Sequence, residues 1–255
     1  MTQPGRVRPG IEVLLVLGVS LGQSAVYSIL RIVDLQTRPT PINQQTTTMN
    51  NAVTPDRPWL DLSYQLAGVV FPVVPALLAL YLISLSRRAD ERSAPALIGF
   101  DLRRPGPDLA LGGLIALGIG LPGLGLYLGT RELGLNTNIA AANLTAIWYA
   151  IPVYCLAAAM NGVLEEVVML GFLYRRFADL RWRLPVIVGT SALVRGAYHL
   201  YQGYGGFAGN LLMGLIFGLV YLRVKRVMPL VVAHTVLDVA AFVGYALVSP
   251  HVSWL

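Results

Sequence analysis

Seven stretches of this chain are apolar over about the length of a membrane crossing, near residues 11–32, 60–86, 108–129, 145–174, 184–202, 207–222 and 228–249. A segment in hydrocarbon finds no water for its amides, so it must hydrogen-bond within itself as a helix. Roughly 20 helical residues cover the apolar thickness of a bilayer. Composition agrees: 55% of residues are hydrophobic and 13% charged, where a soluble domain carries about 25% charged residues. The expected fold class is all-α, a polytopic membrane helical bundle of about seven transmembrane helices.

Charge placement orients the bundle. With a cytoplasmic N-terminus, one side collects Arg6, Arg8, Arg87, Arg88, Arg92, Arg103, Arg104, Arg175, Arg176, Arg181, Arg183, Arg223, Lys225 and Arg226, and the other only Arg38, Arg57 and Arg131. Basic residues concentrate in cytoplasmic loops, so the C-terminus is expected outside. The net charge of +6 is then accounted for by helix orientation and anionic lipid, and no nucleic-acid partner is expected. Arg6 and Arg8 ahead of the first apolar run look like a signal sequence, yet the run continues to Val33, longer than a cleaved core of about 7–15 residues. A retained helix is expected. Lysine is nearly absent beside arginine, a composition pointing to a GC-rich genome and a bacterial inner membrane. The lone Cys155 lies in a span, where packing is its expected role.

Residues 34–58, rich in Thr, Asn, Gln and Pro, read as a flexible exterior loop. Glycines at 108–129 and the Gly214/Gly218 pair allow helices to approach closely. The first three spans lack intramembrane acid–base groups, so 1–144 reads as accessory helices and loops and 145–249 as the working core of one integrated membrane domain.

Three polar pairs break the apolar pattern of that core: Glu165 with Glu166, Arg195 with His199, and His234 with Asp238. Ionisable groups at hydrocarbon depth are costly and mark function. His234 and Asp238, spaced i,i+4, share a helix side. Glu165 and Glu166 are about 100° apart, so one is expected to face a reaction cavity and the other a supporting partner. A carboxylate and an imidazole around one water form a hydrolytic pair, and a second histidine can donate to a developing oxyanion. Tyr198, Tyr201, Tyr204 and Gln202 read as an interfacial aromatic belt.

These residues occur as EEVVMLG at 165–171, RGAYH at 195–199 and HTVLD at 234–238. In that order they resemble the three motifs of the CAAX protease and bacteriocin-processing family of intramembrane proteases: a double glutamate followed by arginine, then FxxxH, then HxxxN or HxxxD. The resemblance covers a little over 100 residues. It implies a peptide or membrane-protein substrate, with Glu165 activating water, His199 as its partner, His234 and Asp238 on the oxyanion side, and Glu166 in support. It also implies a metal-free glutamate mechanism, with zinc on Glu165, His199 and His234 as the alternative. The chain departs from the pattern twice, since the family arginine falls at Leu170 and the phenylalanine at Arg195. The expectation is that the cation has moved between helices and that Arg195 is a structural counterion for Glu166. Two other functions stay open: a proton-coupled transporter, since such residues also relay protons, and a non-catalytic scaffold of the same fold. Oligomeric state is not legible in the sequence.

Overall fold

The structure, a computed structural model, describes residues 8–87, 90–144 and 147–252. Arg6 and Arg88 of the charge pattern, and residue 145 at the expected start of the fourth span and of the working core, lie outside the described residues. Among the described residues the chain is an all-α bundle with one two-stranded sheet.

Five helical segments are long and apolar enough to cross a membrane. The first joins α3 (Pro58–Val70) to α4 (Val74–Ser86) through a 3₁₀ turn. The second is α6 (Pro105–Glu132), continuous through Pro122. In the third, α7 (Ala150–Glu166) runs through a π-helical turn (Val167–Phe172) into α8 (Leu173–Asp179). The last two contain α10 (Tyr204–Val224) and α11 (Met228–Val248). A short α5 (Ala94–Ile98) precedes α6.

The expected count of seven spans changes in two places. The first apolar run is a helix pair, α1 (Pro9–Gly18) and α2 (Leu21–Thr37), bent by 53°. Ser20 at the junction has extended-like φ/ψ, and its hydroxyl bonds Val16 O. The fifth run forms α9 (Leu184–Tyr198), only 15 residues, or about 22 Å of helix against about 30 Å of hydrocarbon. A 3₁₀ turn follows it, and then Gly203 at φ +112°. A Cβ on Gly203 would stand 2.5 Å from Leu135 O, so only glycine lets the chain turn there against its neighbour.

The α7–α8 span is the centre of the molecule: 67% of its apolar window is buried, against 11–22% in the other four. Glycines bring its neighbours close. A Cβ on Gly162 of α7 would lie 2.7 Å from Thr235 Oγ1 and 3.0 Å from Val231 O of α11. One on Gly214 of α10 would lie 2.9 Å from Ala192 Cα of α9. In α6, by contrast, Gly112 packs on α11 while Gly113, Gly118, Gly123 and Gly125 face open space.

The two ends of the bundle are tied differently. At the arginine-rich end, fully buried Arg176 ion-pairs with Glu12 (2.7 Å) and hydrogen-bonds Leu82 O, Ser86 and Asp179, joining α1, α4 and α8. Arg226 bonds Asp101 and Asp108. At the opposite end, β1 (Thr46–Thr48) pairs in parallel with β2 (Asn138–Ala140). Segment 34–58 is therefore not the flexible connector its composition indicates. Gln45 Nε2 bonds Leu35 O and Thr40 O, Asn50 Nδ2 bonds Ala141 O, and Thr47 Oγ1 bonds Tyr201 O. Its polar side chains satisfy backbone groups here. Cys155 is exposed on the outer surface of α7, which departs from its expected packing role.

Candidate active site

The two glutamates close α7 just before its ladder widens into the π-helical turn, an irregularity that often accompanies functional sites. Every residue of that turn is buried, so the carboxylates rest on a dry apolar floor. They then diverge, as adjacent helical positions must.

Glu166 is fully buried. Its Oε1 accepts from Arg195 Nη2 of α9 at 2.7 Å and from His234 Nδ1 of α11 at 2.7 Å. One carboxylate oxygen thus ties three helices. The Arg195 guanidinium also lies over the Phe217 ring at 5.4 Å, a favourable cation–π geometry. Arg195 stands within 3.6 Å of Glu165 as well, so one cation serves both acids.

Glu165 lines a cavity of about 670 Å³ with His199, His234, Asp238, Asn161 and Tyr198 among its walls. Its Oε2 accepts from Tyr198 OH at 2.5 Å, with Arg195 Nη1 at 3.6 Å and His234 Nε2 at 3.9 Å. Among the described residues, Glu165 Oε1 has no hydrogen-bond partner, so one oxygen is anchored and the other is free.

His234 has its two ring nitrogens on different acids. Nδ1 meets Glu166, while Nε2 stands 3.8 Å from Asp238 Oδ1, one turn along α11. Because Glu166 is fully buried in its ion pair and acts as an acceptor, Nδ1 carries a proton. Asp238 is held in turn by Asn161 Nδ2 at 2.8 Å. His199 Nδ1 lies 3.0 Å from Arg195 O. A carbonyl only accepts, so Nδ1 carries the proton and Nε2 keeps a lone pair.

All six residues singled out in the sequence, Glu165, Glu166, Arg195, His199, His234 and Asp238, thus lie around one place. Their pairing differs in detail from the expectation. His199 shares the cavity with Glu165, but the hydrogen bond to Glu165 comes from Tyr198. Tyr198 is buried at 5% exposure rather than standing in an aromatic belt. Asn161 was also missed, although it sits four residues before Glu165 and so shares its face; Tyr198 was marked only by its place beside His199. The metal-compatible set also differs. Atoms of Glu165, Glu166 and His234 lie within 4.8 Å of one another, and that set does not include His199.

Residues 146–240 match the family described as type II CAAX prenyl endopeptidase Rce1-like. The match covers 95 of the 255 residues and spans all three motifs, so this segment is similar to that family. No curated protein and no solved structure matches the chain.

Proposed function

We propose that the chain is an intramembrane endopeptidase in which Glu165 activates water for attack on a peptide carbonyl. The observation that carries this reading is the division of work between the two glutamates. Glu166 is fully buried with its Oε1 on Arg195 and His234 and its unpaired Oε2 away from the cavity, while Glu165 presents an unpaired oxygen to a cavity large enough for a peptide segment.

In the proposed reaction, water sits between Glu165 Oε1 and the His199 Nε2 lone pair. Glu165 takes the proton as the water oxygen bonds to the carbonyl carbon. The oxyanion that forms accepts a hydrogen bond from Nε2–H of a doubly protonated His234, whose Nδ1–H stays on Glu166 and whose Nε2 faces Asp238. Glu165 then passes its proton to the amide nitrogen, the C–N bond breaks, and an acid and an amine leave.

The metal-free form of the mechanism is favoured by Arg195. A dication between Glu165, Glu166 and His234 would sit against a buried guanidinium already bonded to one ligand oxygen at 2.7 Å. Repulsion at that distance is severe in a low-dielectric interior. Cytoplasmic placement of the N-terminus and a bacterial inner membrane remain part of this proposal, as does the division into accessory (1–144) and working (145–249) halves.

The test is incubation of the purified protein in detergent with a peptide library, beside Glu165→Gln. Cleavage by the parent and its loss in the variant support the reading. Proton-driven solute uptake in liposomes without cleavage would replace it with the transporter, and silence in both assays would leave a scaffold.

A further inference from the structure

The cavity has a direction. Its walls come from the middle of the bundle and from one end only: Asn50, Asn136, Ile139, Gln202 and Asn210 carry it from Glu165 to the end where β1 and β2 pair. No residue from the segments 87–108, 175–183 or 223–228 lines it. Between Glu165 and that opposite end stands the π-helical turn. There Val167, Val168, Met169 and Phe172 are each 0% exposed and Leu170 is 1% exposed. Beneath them Arg176 locks α1, α4 and α8 together. The site is therefore sealed by packed aliphatics on the arginine-rich side and walled by loop residues on the arginine-poor side.

Arginine-rich loops stay cytoplasmic. We infer that the site is served from the exterior face of the membrane, and that its substrate is a peptide segment presented there, such as the exported portion of a membrane polypeptide. This rests on the endopeptidase reading above and adds the side from which the peptide comes. It excludes a peptide reaching the site from the cytoplasm, because a chain entering from there would have to displace the buried layer at 167–172.

Two arms test this. In a Cys155→Ala background, Ile139→Cys at the cavity wall and Arg183→Cys at the other end are exposed to a membrane-impermeant maleimide on intact cells. Ile139→Cys should label before permeabilisation and Arg183→Cys only after it; the reverse pattern overturns the inference whether or not the protein is a protease. In the second arm, a peptide library is added outside sealed membrane vesicles carrying the protein. Right-side-out vesicles should cleave the library, with at least tenfold less cleavage in inverted vesicles. Cleavage only by inverted vesicles overturns the inference and keeps the endopeptidase. Cleavage by neither overturns the endopeptidase reading, and the labelling pattern then decides the facing by itself.

Discussion

Arg195 Nη2 donates to Glu166 Oε1 at 2.7 Å, joining α9 to α7 at a point where both side chains are essentially without solvent contact. A buried pair of this kind contributes little over an apolar equivalent, but losing one partner leaves a bare charge. Arg195→Leu should therefore lower stability by about 3–5 kcal/mol. Arg195→Leu combined with Glu166→Gln should recover a large part of that loss, read as melting temperature in a double-mutant cycle. Strict additivity of the two losses would mean that the pair does not act as one unit. Leu170→Arg added to Arg195→Leu tests whether the cation can sit at either position, and no gain over Arg195→Leu alone would show that it cannot.

Glu165→Gln should cut peptide cleavage by about 10²–10⁴-fold, the usual worth of a positioned base, with little change in melting temperature. The contrast with Glu166→Gln is the informative part, because that change removes the acceptor for two donors and should reduce stability as well. Equal stability losses in the two variants would contradict the division of work between the carboxylates.

Tyr198→Phe deletes the hydroxyl that anchors Glu165 Oε2 at 2.5 Å. A hydrogen bond to a charged group is worth about 1.5–3 kcal/mol, so kcat should fall roughly ten- to a hundredfold. KM should hold, because the hydroxyl orients the base rather than the peptide. Steady-state kinetics decides it, and a rise in KM at constant kcat would assign Tyr198 to substrate binding instead.

Gly162→Val should damage the site from a distance. Its side chain would press on Thr235 and on the Val231 carbonyl of α11, pushing His234 away from Glu166. Overpacking of this kind costs about 1–3 kcal/mol, and cleavage should fall with it. Normal activity in this variant would show that α11 can retreat without moving His234.

Asp101 supplies a pH dependence outside the spans. Burial opposes its ionisation, but the Arg103 N–H and the Arg226 guanidinium hold its carboxyl below the usual carboxylate range. A carboxyl depressed in the folded state stabilises above its unfolded pKa, and that contribution disappears as pH falls through the lower folded value. Melting temperature should therefore drop as pH falls below about 4. Asp101→Asn should flatten that part of the curve, and an unchanged slope would remove Asp101 from the account.

Much of this protein is legible along the chain because the reasons are local. An apolar run of membrane length has to become helix, and arginine placement orders the ends of the bundle. Spacing alone puts Asp238 one turn from His234, and the three motifs come in order on three separate helices. Spacing also predicts that adjacent glutamates diverge, but it leaves open which one faces the cavity. That choice came from tertiary structure, through the glycine contacts that set how close α11 lies to α7 and α10 to α9, and through the π-helical turn after Glu166, which breaks the regular 100° rotation used to assign faces. The same contacts buried Tyr198 against Glu165, put His234 on Glu166, and ordered segment 34–58 over the cavity mouth. Periodicity describes one helix at a time, whereas distances between side chains on different helices depend on rotation and approach, which only the packed bundle decides.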